Sequence, residues 1–182
     1  MSFFDTLNEE QIAFIKQQSI FFTATAPPKG RINLSPKGMD SFRVFNQSLA
    51  GYLDLTGSGN ETAAHIHADG RFTIMMCSFT EKPLILRLYG KGEVVNRHSE
   101  MWEKYASHFP EMPGTRQIIL IHIDMVQESC GYSIPFMELK DERYQLNEYW
   151  EEKGNDAVVE YQQNKNRESI DGLPTYLFKD TK

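Results

Sequence analysis

The chain has 182 residues, with 25 acidic and 19 basic side chains for a net charge of −6, 40% hydrophobic and 12% aromatic residues. These values suit one soluble globular domain. They exclude a basic surface that neutralises nucleic-acid phosphates, and no apolar run approaches the ~20 residues of a membrane-spanning helix.

The N-terminal MSFFDTLNEE lacks the basic-then-apolar pattern of a targeting segment, so a cytoplasmic protein is expected. Cys77 and Cys130 lie in apolar stretches without CxxC spacing. They read as reduced, buried thiols rather than a disulfide or zinc pair.

In chain order, Thr6 and Glu9 have capping-box spacing ahead of Leu7, Ile12 and Ile15, which predicts a first helix ending before Ser19. A series of short strands follows: SIFFTATA, RINLSP, SFRVFN, LAGYLDL, RFTIMMCSF, LILRLYGKGEVV and GTRQIILIHIDMVQES. Two helices interrupt them, NETAAHIHAD and SEMWEKYASHF, the second with Met101, Trp102, Tyr105 and Phe109 at helical spacing.

This is not the regular alternation of a parallel sheet. A mainly β antiparallel barrel or sandwich with peripheral helices is expected. FTIMMC is apolar on both faces, as a strand between the core and a second layer or second subunit would be. In LILRLYGKGEVV, alternation places Leu84, Leu86 and Leu88 on one face and Arg87, Tyr89 and Lys91 on the other. Gly90 and Gly92 then mark a bulge, a barrel bend or a close ligand. The acidic excess between Glu138 and Glu160 reads as a solvated helical face.

The stretch LTGSGNETAAHIHADG joins a strand to a helix through Gly57 and Gly59. A glycine turn at a helix N-terminus gathers backbone N–H donors and suits phosphate. Ser58 and Glu61 also have capping-box spacing, which explains the same turn without a ligand. Ser35 and Lys37 in NLSPKG, with Asn60 and Thr62, would complete an anion site. Neither stretch has P-loop or GxGxxG spacing. His65 and His67 are two apart and split across a helix, His122 lies in a strand with Asp124, and no metal-ligating set emerges. With no nucleophile elbow and no carboxylate pair to single out, no catalytic side chain is assigned. Any chemistry belongs to a cofactor.

GRINLSPKG, GYLDLTGSGNETAAHIHADGRFTIMMCSF, LRLYGKGEVV and SCGYSIPFMEL, in this order, resemble the pyridoxamine 5'-phosphate oxidase-like family of FMN-binding split β-barrels. The likeness spans about residues 19–139, with 140–182 a C-terminal helical extension of the same single domain. SIDGLP resembles a tail found in one branch of the family. The resemblance implies a six- to seven-stranded split barrel, a homodimer with FMN at the subunit interface, and oxidoreduction of a small molecule.

It also implies that Asn60, Glu61 and Thr62 stand where the oxidase grips the FMN phosphate with Ser-Arg-Lys. Because Glu61 cannot replace arginine, Arg31 and Lys37 are left to neutralise the phosphate. Leu34, Ser35 and Pro36 would follow the isoalloxazine edge, and Met76, Cys77 and Ser78 would line the cleft. Arg87, Tyr89 or Lys91 would approach the partner's flavin, and Ser129, Cys130 and Gly131 would lie over it. The oxidase's Arg-rich substrate signature and flavin-contacting tryptophan have no counterpart here, so the resemblance describes fold and cofactor rather than substrate. A non-catalytic flavin- or haem-binding protein, with a histidine as haem ligand, and an F420-dependent relative are the alternatives.

Overall fold

The computed structural model describes residues 1–178. Its elements are β1 (Ser2–Phe4), α1 (Glu9–Lys16), β2 (Phe21–Thr25), β3 (Asn33–Lys37), β4 (Phe42–Asn46), β5 (Leu49–Leu55), α2 (Glu61–Ala68), β6 (Arg71–Cys77), β7 (Ile85–Asn96), α3 (Trp102–Ala106), β8 (Thr115–Ser129) and α4 (Gln145–Lys165). All strand pairings are antiparallel, in the order β3-β2-β6-β7-β8-β5-β4, with β1 added to β8.

Side chains span the gap between the two ends of this curved sheet. Phe21 of β2 stacks edge-on against Phe42 of β4 and Tyr52 of β5, with ring centroids 4.9 and 5.5 Å apart. Lys37 of β3 reaches Asp54 of β5 at 3.3 Å.

The period-2 rule assigns the core. Phe72, Ile74, Met76, Leu86, Leu88, Ile119 and Ile121 fill the barrel, joined by Leu7 and Ile15 from the α1 side. On the opposite face of β8, Ile118 and Leu120 pack with Tyr105 and Phe109 around α3. Ile118 to Ile121 are therefore buried on both faces, which explains their unbroken apolar run.

Gly90 lies at a register shift between β7 and β8, and a Cβ there would strike the His122 carbonyl. At Gly92 a Cβ would meet the Ile66 side chain, 2.5 Å away. A bulge and the close seating of α2 account for both glycines.

Several expectations are corrected. The α1 capping box is Asn8–Gln11, not Thr6–Glu9: Asn8 Oδ1 accepts from the Gln11 N–H at 2.8 Å and Gln11 Oε1 from the Asn8 N–H at 2.9 Å. The N-cap of α2 is Asn60, without a side-chain cap bond, and Ser58 is exposed two residues ahead of it. No Ser58–Glu61 box forms. Leu84 precedes β7 and is only half-buried, and Cys130 is exposed while Cys77 is buried. Strand β1 is an addition to the expected series, three residues being too short for a periodic signal.

Candidate functional site

The residues singled out from the sequence fall into two regions, divided by β3. Leu34 and Pro36 are exposed on its outer face, whereas Ser35 and Lys37 turn inward.

Cross-strand register carries the outer face over five strands in two rows. One row runs Pro36, Phe22, Met75, Arg87, Gln127, and β1 extends it with Phe3. The other runs Leu34, Ala24, Thr73, Tyr89, Met125. None of these side chains is buried. Arg87 Nη1 donates to Ser129 Oγ at 3.1 Å, and Tyr89 Oη to Gln127 Oε1 at 3.0 Å. Cys77 and Ser78 border the rows, and burial pushes the Cys77 thiol up against the opposing influence of Arg87. Met76 points the other way into the barrel core, leaving Met75 on the face. Lys91 and Cys130, both exposed, lie outside the two rows.

The inner region is a polar corner where β3, β5, β8 and α2 meet. Asp54 and Arg116 are 2% and 4% exposed, and Arg116 Nε and Nη2 donate to Asp54 Oδ2 at 3.0 and 2.7 Å. Gln117 Nε2 bridges Asp54 Oδ2 at 2.9 Å and Asn60 Oδ1 at 2.7 Å. Burial raises the Asp54 carboxyl, but Arg116 and Lys37 outweigh it and hold the group below the usual carboxylate range. Burial, reinforced by Asp54, keeps the nearby Tyr52 phenol well above its ordinary value.

Sequence reasoning missed this pair. Its signal was a charge inside each of two apolar strand segments, GYLDL and TRQIILI, since such charges require partners.

The same corner fixes the glycine turn. Trp150 Nε1 donates to Thr56 O at 2.9 Å and Gln162 Nε2 to Thr56 Oγ1 at 2.7 Å. Asn166 Nδ2 donates to Gly57 O at 3.0 Å, and Arg116 Nη1 to Gly59 O at 2.9 Å and Asn166 Oδ1 at 2.8 Å. The Asn60 amide is buried between Gln117 and Asn166 O, so only its backbone remains for a ligand. Thr62 Oγ1 accepts from Asn33 Nδ2 at 3.1 Å, and Ser35 Oγ donates to Asn33 Oδ1 at 3.0 Å.

Beyond α4 the chain returns to α2. The Ile170 N–H donates to Glu61 Oε1 at 3.0 Å, and Asp171 Oδ2 accepts from the Arg31 N–H at 2.7 Å while its Oδ1 pairs with the Arg31 guanidinium. The hydrogen bond from the Arg31 backbone and the charges of Arg31 and His65 hold the Asp171 carboxyl below its ordinary value.

Among the histidines, His65 borders this corner, its Nε2 3.8 Å from Glu61 Oε2. His65 Nδ1 meets Thr25 Oγ1 at 3.0 Å, His67 packs edge-on to Tyr176, and His122 Nε2 lies 2.7 Å from Glu93.

An antiparallel sheet curved into a barrel, closed by side chains and flanked by short helices, defines the class of split β-barrel proteins. A family model described as pyridoxamine 5'-phosphate oxidase matches residues 7–130. The Aspergillus flavus protein ustO, a pyridoxamine 5'-phosphate oxidase family protein, is 35% identical over 190 residues, covering 94% of this chain and 76% of ustO. The chain belongs to the pyridoxamine 5'-phosphate oxidase family.

Among solved structures, HupZ from Group A Streptococcus is 22% identical with a TM-score of 0.53, over 72% of this chain and 99% of that one. A pyridoxamine 5'-phosphate oxidase-like protein of Lactobacillus delbrueckii is 22% identical with a TM-score of 0.55, over 68% and 95%. Both share the fold. Among the described residues no helix is long and apolar enough to cross a membrane.

The corner's donor set bears on whether FMN fits. Asp171 is a carboxylate supplied by the chain itself, held by a backbone N–H and a guanidinium as an oxyanion would be. The Thr62 hydroxyl and the α2 N-terminus lie beside it, so the donors present suit a single phosphate, while Lys37 at the far end of β3 is paired with Asp54.

Proposed function

We propose that the protein is a homodimeric, cytoplasmic, FMN-dependent oxidoreductase acting on a small molecule, with each flavin held where the outer sheet faces of two subunits meet. The observation that carries this reading is the adjacency, across β3, of a broad half-exposed mixed face and a corner that already holds an oxyanion. Family membership supports the fold and the cofactor class; the substrate is a small molecule of its own kind.

Flavin, when bound, supplies hydride or electron transfer through its ring system. The protein's part is position and electrostatics. Arg31 and Lys37 supply positive charge to the phosphate, with donors from the Thr62 hydroxyl and the first turn of α2. Leu34, Ser35 and Pro36 offer backbone groups along the ring edge, where the exposed Leu34 and Pro36 side chains also exclude water. Cys77 and Ser78 line the cleft on one subunit, with Arg87, Tyr89 and Ser129 coming from its partner. Asp54 and Arg116 act behind this surface, fixing the turn from which α2 starts.

Absorbance spectra of the purified protein test the reading, before and after adding FMN and then with NADH or NADPH under anaerobic conditions. Flavin bands that are retained and bleach support a redox enzyme. A protein that takes up no flavin from excess FMN overturns it. Sedimentation gives the second check, with a dimer expected for the parent chain and a folded monomer for Phe22→Glu, which places a charge in the middle of the outer face.

A further inference from the structure

The segment from Asn166 to Leu177 follows an irregular course, yet it is tied down along its length. The Asn166 side chain and carbonyl bind the glycine turn and Asn60, and Thr175 Oγ1 donates to Asn166 O at 2.7 Å. Ser169 closes a tight loop, its carbonyl accepting from Gly172 N–H at 3.0 Å and its N–H donating to Leu173 O at 2.8 Å. The tip of that loop, Ile170 and Asp171, is what meets α2 and Arg31. Gly172 follows with φ +77°, a left-handed turn that glycine adopts without a side-chain penalty.

The tip differs from its supports. Asn166 and Thr175 are fully buried, whereas Ile170 is 72% exposed and contributes only its backbone N–H to Glu61. An exposed Ile170 adds little stability through its side chain, so the loop's specific contacts are one carboxylate on Arg31 and one N–H on Glu61. A Cβ on Gly30 would meet Asp171 Oδ2 at 2.7 Å, so the backbone beside Arg31 leaves room for an oxyanion and little else.

We infer that the 169–174 loop is an intramolecular competitor for the anion corner, with the Asp171 carboxylate occupying on Arg31 the place a ligand phosphate takes. This rests on the flavin-phosphate reading of that corner, and it adds a regulatory consequence. Anion binding displaces Asp171 from Arg31 and frees the Ile170 N–H, while Asn166 and Thr175 keep the base of the loop attached. Displacement also turns Glu61 from a bonded acceptor into a carboxylate facing the incoming phosphate. The corner therefore resists anions until the loop tip leaves, and it selects ligands whose remaining contacts, such as a ring on the outer face, offset that exchange.

The test compares the parent chain with Asp171→Asn and Asp171→Ala, titrated with FMN, riboflavin and inorganic phosphate. Both variants change a single largely covered side chain at the loop tip, and Asp171→Asn preserves its shape. Amide exchange at Ile170 is followed alongside. The expected result is at least tenfold tighter binding of FMN or of phosphate by the variants and unchanged riboflavin affinity. Faster exchange at Ile170 when the parent chain is loaded is also expected, as is loss of the Asp171 effect in an Arg31→Ala background. Equal affinities for parent and variants overturn the inference while leaving the flavin reading intact. Tightening for phosphate without any flavin uptake supports the loop's role and overturns the flavin reading. No tightening with either probe, or slower exchange at Ile170 on loading, overturns the inference outright.

Discussion

Strand β3 borders two regions that treat polar groups in opposite ways. Behind it, Asp54, Arg116, Asn60, Asn166, Trp150 and the Gln117 amide nitrogen bond to one another and to the glycine turn at low exposure, with Gln117 Oε1 the one group of this set left buried without a partner. In front of it, Pro36, Phe22, Met75, Arg87 and Gln127 form a continuous row of side chains none of which is buried. A buried polar network tolerates no missing member, because the group left behind is desolvated without compensation. A half-exposed row can change at little cost to folding and is free to serve recognition. The difference teaches where this fold keeps its rigidity and where its surface is free to vary.

The largest break in that contrast is expected from Asp54→Ala, which leaves Arg116 buried and unpaired. A loss of about 3–5 kcal/mol is expected in urea unfolding. A loss under about 1 kcal/mol would show that water already solvates the pair. The pH dependence sharpens it. The Asp54 carboxyl is held down in the folded state, so its contribution is fully present above the ordinary carboxylate pKa of about 3.9 and is lost as pH falls through the lower folded value. Asp54→Asn is expected to remove that part of the acid destabilisation, seen as a flatter stability profile below about pH 4.

Lys37→Ala acts on the inner region, where the lysine partners Asp54. Flavin titration is expected to show weaker FMN binding by about 1.5–3 kcal/mol, the range for a charge-assisted hydrogen bond. Riboflavin binding should be unaffected, and an unchanged FMN dissociation constant would assign the phosphate charge to Arg31 alone.

Trp150→Phe keeps an aromatic ring but deletes the donor to Thr56 O, a buried carbonyl contact. About 1–2 kcal/mol of stability should be lost. The smallest effect is expected at Ser58. Because it is exposed and Asn60 is the N-cap, Ser58→Ala should change stability by less than about 0.5 kcal/mol. The ~1 kcal/mol typical of a lost cap would restore the capping-box reading.

Legibility in the sequence follows locality. Strands β2 to β8 are readable because alternation and turn residues are properties of adjacent positions, and the family motifs lie along those strands. The outer rows are half legible. Alternation puts Arg87 and Tyr89 on one face, but the family likeness assigns Met76 to the cleft although its parity sends it to the core beside Leu86. The caps shift by two residues, to Asn8 and Asn60, because Ser, Thr and Asn compete for the same role and only backbone geometry selects the winner. Cys130 reads as buried from its apolar neighbours, yet it is exposed because its burial depends on where β8 ends.

The sequence by itself determined the mainly β antiparallel architecture, the two-faced strands and the glycine turn leading into α2, since each depends on the side-chain period or the backbone freedom of neighbouring residues. Only the tertiary structure decided what that turn meets. Arg116 lies 57 positions from Gly59, Asn166 lies 109 from Gly57, and Asp171 lies 140 from Arg31. Partners so distant leave no periodic trace, and a buried charge announces that it needs a partner without saying which.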